Sequence, residues 1–435
     1  MTVPLISPMP PVASGVGLPW DAPIDDPVSA LDGARRSFGD TFVVDSGEDR
    51  YLFTFSPSGV ACFYGLPEDR ASKGIADWRM LRRKLPDEMF VGRRVLPQHL
   101  FGREDVTTYL ANVELAVDAT IDELGSAGEF DVFGMARRLG HRVGLASWGG
   151  PGSAVGERFD RLVRAFDTLD GAESFVHPDA MSLVAASGKS AERGALGVIL
   201  EELGESRQEL PGVEDRHPLF ARVVAAWSDQ QAAEGMIGSG LDVALIHVAS
   251  MSNLFAALGW HLIDLIGHPA ECARVRSGDR RLAETCALES IRMAQRSIMS
   301  RYVVKPVELN VGSAVHAVPP GVTVATLLPL TNTSAAPGLD AWDPNHWNRR
   351  RLADGSKLAA AELVTAFGHG RHSCPAQPFS LSAMTLASTR LLAEYEFDPS
   401  WSRRPYPVVA QIGGVARSAL PCHVRYRRCR DRSSP

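Results

Sequence analysis

The apolar residues of this chain recur mainly at helical spacing, and the helices that they predict cover most of its length. Between Glu104 and Leu124, apolar side chains keep to one face of such a helix, and Gly125 marks its end. Shorter segments rich in Val, Thr and aromatic residues predict strands. The predicted helices span residues 27–36, 104–124, 130–145, 154–169, 191–203, 219–228, 241–267 and 377–394, and the predicted strands span 41–44, 51–55, 302–309, 318–324, 391–397 and 422–426.

The longest apolar stretch, residues 241–266, is apolar on almost every side. Such a pattern is typical of a helix buried in the centre of a protein. The stretch also carries polar side chains, among them Asp242, His261 and Asp264, which a lipid-spanning helix would accept only at high cost. It therefore predicts a core helix and a soluble protein.

The composition and the domain organisation are also those expected of a soluble globular protein. The chain has 435 residues, of which 45% are hydrophobic and 22% charged, as in ordinary globular proteins. Its formal net charge of -6 gives no indication of nucleic-acid binding. No repeat or strong linker divides it. We predict a Pro-rich segment at 1–23 without a membrane anchor, then a single domain at 24–435 with β-rich portions at about 40–64, 301–328 and 397–428.

The six cysteines are scattered along the chain, with no C-x-x-C pair and no spacing typical of a disulfide framework. No secretory signal is recognisable in the first residues. Together these features predict a cytoplasmic protein whose thiols stay reduced.

Cys374 differs from the other cysteines because a glycine-rich turn leads into it and a predicted helix follows it. Gly368 and Gly370 allow left-handed backbone angles and the close approach of a flat molecule. The dipole and free amides at a helix N-terminus favour the thiolate form of a cysteine. Such a thiolate can be the axial ligand of a heme iron. A buried structural cysteine in a glycine-rich turn is the alternative.

This stretch resembles the cysteine-ligand loop of the cytochrome P450 superfamily, in which a Phe, two Gly and a basic residue precede the heme-ligating Cys. Ala376 stands where a glycine is usual. The resemblance implies a mainly α fold with small β-sheets, in which heme b lies between the central helix and this loop. It implies Cys374 as the iron ligand, and Arg301 and His372 as partners of the heme propionates. The cofactor-binding positions that it implies are Arg301, Phe367, Gly368, Gly370, His372, Cys374 and Ala376.

The central helix carries a run that resembles the oxygen-binding motif of the same superfamily. Ala249 and Ser250 fit its small positions, whereas Ser252 replaces its acid and Asn253 its threonine. The resemblance assigns proton delivery to Ser250, Ser252 and Asn253, among which a hydroxyl is the better relay. Alternatively, these side chains bond to helix carbonyls one turn earlier. The expected substrate-binding residues are Val243, Ile246, His247, Ala249, Met251, Ile298 and Met299.

Glu289 and Arg292 are three residues apart on a predicted helix, where their side chains can pair. Their place between the central helix and the cysteine loop resembles that of the family's Glu-Arg core pair. That pair usually has a third partner from an Asp-Pro-x-Arg-Phe segment. Here the corresponding residues 343–347 offer His346 in place of the arginine.

The resemblance therefore implies an oxidoreductase of the monooxygenase type. Within the superfamily, the chain most resembles the branch of sterol demethylases, bile-acid hydroxylases and prostacyclin synthase. We expect a cytoplasmic monomer that tailors a small organic substrate in secondary metabolism. It would use O2 and electrons that reach it from NAD(P)H only through a ferredoxin and its reductase.

Three other functions stay open at this point. The first is radical coupling of aromatic substrates, such as indole-containing cyclic dipeptides, without oxygen insertion. The second is an isomerase or dehydratase reaction that needs neither O2 nor electrons. The third is a non-catalytic heme-binding protein.

Overall fold

Helices form most of the structure. The computed structural model describes residues 6–171, 178–348 and 358–429. Its helices are α1 (Pro27–Phe38), α2 (Pro57–Gly65), α3 (Lys73–Leu81), α4 (Pro97–Leu100), α5 (Val106–Leu124), α6 (Val132–Trp148), α7 (Gly156–Leu169), α8 (Pro178–Ala186), α9 (Ser190–Gln208), α10 (Pro218–Ala225), α11 (Ala232–Gly267), α12 (Pro269–Arg276), α13 (Arg280–Ala294), α14 (Leu328–Ser334) and α15 (Gln377–Glu394).

The described strands form three small sheets. They are β1 (Ile6–Ser7), β2 (Thr41–Ser46), β3 (Asp49–Thr54), β4 (Ala71–Ser72), β5 (Ala127–Asp131), β6 (Ile298–Val303), β7 (Val307–Asn310), β8 (Val315–Val318), β9 (Val322–Leu327), β10 (Tyr395–Pro399) and β11 (His423–Arg428). The largest sheet has the order β2-β3-β9-β6-β4, and the others have the orders β10-β11-β5 and β1-β8-β7. In the largest sheet β3 runs parallel to β9, with Leu52 opposite Val324.

Local sequence explains how the first elements begin and end. The Asp26 carboxylate accepts a hydrogen bond of 3.1 Å from the Ser29 amide, and Pro27 occupies the first turn of α1, where its missing N–H costs nothing. Gly39 ends the helix with a positive φ of 89°. The chain then enters the β2–β3 hairpin, whose inner side chains, including Phe42 and Phe53, are fully buried.

Helix α11 occupies the centre of the helical part and contacts α6, α9, α13 and α15. By length and composition it could cross a membrane, but 67% of its most apolar window is buried inside the structure. Its Trp260 is fully buried and donates a hydrogen bond of 2.6 Å to the Ala416 carbonyl. These contacts make α11 a core helix of this fold.

Small residues allow α6 to pack closely against α11. A Cβ atom on Gly140 would lie 2.3 Å from a ring carbon of Phe255, and one on Gly144 would lie 2.8 Å from His247. Both glycines are inside a helix, where glycine is otherwise unfavourable. Their presence follows from the packing, because larger side chains would force the two helices apart.

The elements observed differ from the predicted ones at a few places. Helix α15 has the predicted bounds, whereas α11 begins at Ala232, earlier than expected. Gly235, Gly238 and Gly240 interrupt the apolar pattern there, which is why the pattern underestimates the helix. Strand β5 was not predicted, since most of its side chains are exposed. The division into segments 1–23 and 24–435 stays a prediction.

Replacing Gly140 by Ala should destabilise the protein by about 1–3 kcal/mol, because the new methyl group would overlap the Phe255 ring. Gly194→Ala is the matched control, since Gly194 is exposed on α9 and its Cβ would meet nothing within 4 Å. That change should stabilise the protein by about 0.5–1 kcal/mol. Denaturant unfolding of both variants measures the difference, and equal effects would contradict the packing argument.

Candidate active site

The loop before α15 brings Cys374 to the start of that helix. The Cys374 amide donates a hydrogen bond of 2.7 Å to the Phe367 carbonyl, which closes the loop. Gly368 and Gly370 have positive φ angles of 79° and 60°, as the sequence predicted. A single turn of 3-10 helix, Gly370–His372, then leads into the cysteine. The His372 side chain lies outside the part of the chain that the structure describes.

Cys374 is partly buried, and this burial raises the pKa of its thiol. Hydrogen bonds from the Ala376 and Gln377 amides and the charge of Lys73 offset this effect only in part. The sequence predicted that the helix terminus favours the thiolate, and the two amides act in that direction. Desolvation of the sulfur outweighs these partial charges, so the pKa of the thiol is raised overall.

The donor set around Cys374 fits a heme better than a metal ion bound by protein alone. Within the described ranges, no group of three or more His, Cys, Asp or Glu side chains could hold a metal ion. An iron at Cys374 would therefore need its other ligands from a macrocycle, as heme provides. The glycine-rich loop, which carries no side chain at two positions, suits the close approach of such a flat group.

Arg301, the predicted partner of a heme propionate, is 1% exposed on β6. Its guanidinium donates hydrogen bonds to the backbone carbonyls of Tyr64, Leu66 and Ala71. These contacts attach β6 to the end of α2 and favour a structural role. The predicted contact with a propionate stays a prediction.

The motif on α11 divides into exposed and buried positions. Ala249 and Asn253 are exposed, although α11 is otherwise buried around them. They are one turn apart and so share a face of the helix. The Ser250 hydroxyl donates to the Ile246 carbonyl one turn earlier, which is the alternative that the sequence left open. The Asn253 Oδ1 atom accepts a hydrogen bond of 2.9 Å from the Val415 amide.

Ser252 is half-buried and borders a narrow crevice between α11, α6 and α7. Asp170, at the end of α7, borders the same crevice. The Ser252 hydroxyl has no hydrogen-bond partner among the described residues. Ser252 is therefore the hydroxyl of this motif that keeps its proton available.

The predicted substrate-binding residues occupy different environments. Val243, Ile246 and Met251 are buried in the hydrophobic core of the helical part. Ile298 and Met299, on β6, are half-exposed, and Ala249 is exposed. The structure thus places Ala249, Ile298 and Met299 where another molecule could reach them and encloses the other three.

His247 is also buried, in a chain of side chains that crosses three helices. Its Nε2 lies 2.9 Å from Nδ1 of His141, whose Nε2 lies 2.9 Å from the Asp167 carboxylate. Because a carboxylate accepts hydrogen bonds, His141 donates to Asp167 and His247 donates to His141. The His247 Nδ1 atom is then an acceptor that faces Gly144, and no donor among the described residues reaches it.

Glu289 and Arg292, on α13, form a fully buried ion pair. The Arg292 guanidinium donates to both carboxylate oxygens, at 2.8 and 2.6 Å, and also to the Asn332 and Leu339 carbonyls. The structure places His346 Nδ1 2.9 Å from the Glu289 carboxylate. Burial alone would raise the pKa of Glu289, but Arg292 and these hydrogen bonds lower it.

Solved structures with this architecture cover nearly the whole chain. Retinoic acid-bound cyanobacterial CYP120A1 matches with a TM-score of 0.71 and 17% identity over 97% of this chain and 100% of that one. The cytochrome P450DA heme domain matches with a TM-score of 0.73 and 16% identity over 99% of both chains. This chain has the cytochrome P450 fold. The predicted fold class and the resemblance to cytochromes P450 are therefore confirmed.

Sequence comparison adds two curated relatives with the same name, 24-hydroxycholesterol 7-alpha-hydroxylase. The mouse protein is 30% identical over 149 residues, and the human protein is 24% identical over 206 residues. These matches cover 33% and 41% of this chain, and they span only 29% and 41% of the relatives' own lengths. No family model matches the sequence.

Several residues of the site were not predicted from sequence. Trp347 donates a hydrogen bond of 2.9 Å to Glu289, and Val415 binds the motif on α11 through its amide. A backbone amide gives no signal in a sequence. His141 and Asp167 could be found only through the contacts that lead to His247, because each lies on a different helix and no local pattern marks it.

Replacing Glu289 by Gln should cost about 3–5 kcal/mol of stability, because the buried Arg292 charge would lose its counter-charge. Asp69→Asn is the control, since Asp69 pairs with Lys305 at an exposed site where such a pair contributes about 0–1 kcal/mol. Chemical denaturation compares the two variants. A loss at Glu289 no larger than that at Asp69 would refute the assignment of this pair to the core.

Stability should fall as the pH falls below about 6.5, the ordinary pKa of histidine. Burial lowers the pKa of His141, of His247 and of His261, the last to about 3. The unfolded chain therefore takes up protons that the folded protein excludes. The free energy of unfolding then falls by about 1.4 kcal/mol per histidine for each pH unit. The slope of the unfolding free energy against pH is measured between pH 7 and 5, and His247→Phe should reduce this slope. An identical slope in this variant would contradict the buried neutral state of His247.

Proposed function

We propose that this protein is a heme-thiolate monooxygenase that inserts one atom of O2 into a small organic substrate. The position of Cys374 carries this proposal, because it follows a closed glycine-rich loop, precedes a helix and has no companion metal ligands among the described residues. The likeness to cytochromes P450 over almost the whole chain supports it. Electrons would come from NAD(P)H through a ferredoxin and its reductase, and the protein would act as a cytoplasmic monomer.

The residues of the cysteine loop would hold heme b. Cys374 would bind the iron, and Phe367, Gly368, Gly370 and Ala376 would line the loop around it. His372 and Arg301 are the proposed partners of the propionates. When bound, heme b supplies one-electron chemistry and O2 activation.

The chain itself would supply substrate positioning and protons. Ala249 and Asn253 form the exposed face of α11 on which a substrate can lie. Ser250 already donates to a carbonyl, and Asn253 already accepts from an amide. Ser252 is therefore the proposed relay, whose Oγ would pass its proton toward the place where O2 is activated and would take a proton from a solvent water in return.

The curated relatives suggest one class of substrate. Both are hydroxylases of 24-hydroxycholesterol, which is a rigid ring system with hydroxyl groups. We propose a substrate with a rigid ring skeleton, such as a sterol-like compound or a ring-containing secondary metabolite. Radical coupling of two aromatic rings would fit the same face of α11 and differs in its product.

The second candidate function is an isomerase or dehydratase reaction on a pre-oxidised substrate. The observation that favours it is that the motif on α11 contains no carboxylate and that two of its polar side chains are engaged elsewhere. A reaction that needs no proton delivery to O2 would tolerate a motif that lacks a carboxylate and has two engaged side chains.

One assay distinguishes these functions. The purified protein is supplied with heme, ferredoxin, reductase and candidate ring compounds, and NADPH-dependent O2 uptake is followed together with product mass. A product with one added oxygen supports hydroxylation, whereas a dimer that has lost two hydrogens supports coupling. Rearrangement of an organic peroxide to a product of the same mass, without O2 or reductant, would overturn the monooxygenase proposal in favour of isomerisation.

Cys374→Ala should abolish the thiolate-type absorption band of the CO-bound ferrous protein, because no other thiol of the described chain lies in this loop. Cys62→Ala is the control, since Cys62 is on α2 and contacts Glu308 and Asn310 instead. Survival of the band in Cys374→Ala, or its loss in Cys62→Ala, would show that the ligand has been assigned to the wrong cysteine.

A further inference from the structure

The exposed face of α11 ends at Asp242 on the side toward the start of the helix. Asp242 lies seven residues before Ala249, which places it two turns and about 10 Å away on nearly the same line of side chains. Ala249 and Asn253 are exposed, whereas Asp242 is only 2% exposed. The same line of α11 is therefore covered at Asp242 and open two turns later.

The groups that cover Asp242 come from two other parts of the chain. The Val95 amide, between α3 and α4, donates to both oxygens of the Asp242 carboxylate at 3.3 Å. The indole Nε1 of Trp227, just after α10, donates to the same carboxylate at 2.7 Å. The segment 90–96 is thus attached to α11 at the point where the exposed face ends.

These two N–H groups are the direct partners of the Asp242 carboxylate. No Lys or Arg of the described chain forms an ion pair with it, and Arg93 and Arg94 act on it only at longer range. Burial raises the pKa of Asp242, and the hydrogen bonds from Trp227 and Val95 offset this effect only in part. A buried carboxylate without a paired cation is costly. The two donors that it binds explain why an acid stands at this position.

Arg93 attaches the same segment at a second point. Its guanidinium donates to the Asp229 carboxylate at 2.8 and 2.9 Å and to the Ala226 carbonyl at 2.7 Å. It also lies over the Trp227 ring, 5.1 Å from the ring centroid. The pair with Asp229 is exposed, so solvent weakens it. The enclosed contact with Asp242 therefore holds the segment against α11, and Arg93 holds it against the end of α10.

Two glycines leave room for this attachment. Gly238, on α11 one turn before Asp242, lies against Trp227, since a Cβ atom on it would be 2.3 Å from a ring carbon of the indole. Gly92 has a positive φ of 82°, which lets the backbone turn just before Arg93. Packing and backbone conformation are thus both adapted to holding segment 90–96 at this place.

We propose that Asp242 is a positioning residue that limits the length of the substrate, because it holds segment 90–96 across the end of the exposed face of α11. A substrate that lies on Ala249 and Asn253 can then extend about 10 Å toward the start of the helix before it meets this segment. This inference rests on the proposed function of the same site and adds to it the residue that excludes compounds with long side chains.

The test compares two azoles that bind a heme iron through nitrogen, the short 4-phenylimidazole and the long 1-dodecylimidazole. Their affinities are measured by optical titration of the heme-loaded full-length protein. Asp242→Ala should increase the affinity for 1-dodecylimidazole relative to 4-phenylimidazole by about tenfold, the effect of one lost hydrogen bond to a charged group. Asp242→Asn keeps an oxygen that can accept from the Val95 amide and should restore most of the wild-type ratio.

Arg93→Ala provides an independent variant, because it loosens the segment without changing α11. It should shift the ratio in the same direction by a smaller factor. Arg425→Ala is the matched control, since Arg425 forms an exposed pair with Asp398 on another sheet and should leave the ratio unchanged. Hydrogen exchange at the Val95 amide should accelerate in Asp242→Ala and not in Arg425→Ala.

The outcomes separate this inference from the proposed function. An unchanged azole ratio in Asp242→Ala, or an equal shift in Arg425→Ala, would overturn the role of Asp242 while leaving the heme-thiolate assignment intact. Unchanged exchange at Val95 in Asp242→Ala would do the same. If the wild-type protein shows no azole-induced shift of a heme spectrum, the proposed function itself fails and the inference fails with it.

Discussion

Helix α11 must be buried on nearly every side and still leave one face open, and the rest of the fold is built around that constraint. Large side chains such as Trp260 and Phe255 fill the space toward α6 and the C-terminal loop. Each buried side chain of this size stabilises the fold by about 1.5–3 kcal/mol. The open face, at Ala249 and Asn253, gives up that stabilisation. Apart from the hydrogen bond between Asn253 and Val415, this strip in the middle of a core helix is left exposed, which leaves room for another molecule.

The polar groups near this face are used mainly to hold the surrounding elements together. Ser250 bonds within its own helix, Asn253 fixes a loop, and Arg301 attaches β6 to α2. His247 belongs to a buried chain that ends at the half-exposed Asp167. A polar side chain inside an apolar core must find a partner, so positions that a motif assigns to chemistry can be taken over by structure.

The sequence was sufficient for the bounds of α15 and for the cysteine loop, because these depend on local patterns, and the fold class followed from the family resemblance. The positive φ angles of Gly368 and Gly370 follow from the same local reading. The sequence was insufficient to predict hydrogen-bond partners that are distant from each other along the chain. The contact of Asn253 with Val415 joins residues 162 positions apart, and one partner is a backbone amide. His247 looked available for a substrate because nothing in its own helix reveals His141 on another. The residues proposed to bind heme, substrate and protons remain predictions that the fold alone does not test.

The electrostatics of Cys374 distinguish this site from that of a nucleophilic cysteine. Catalytic cysteines lie in electropositive surroundings that lower the pKa of the thiol. At Cys374 burial prevails and raises the pKa, although the Ala376 and Gln377 amides point at the sulfur. Pro375, between them, contributes no N–H. A thiolate here would be poorly compensated on its own, whereas a bound metal cation deprotonates a coordinating thiol outright. The loop would therefore suit a sulfur that becomes anionic on binding a metal cation, as we propose for the heme iron.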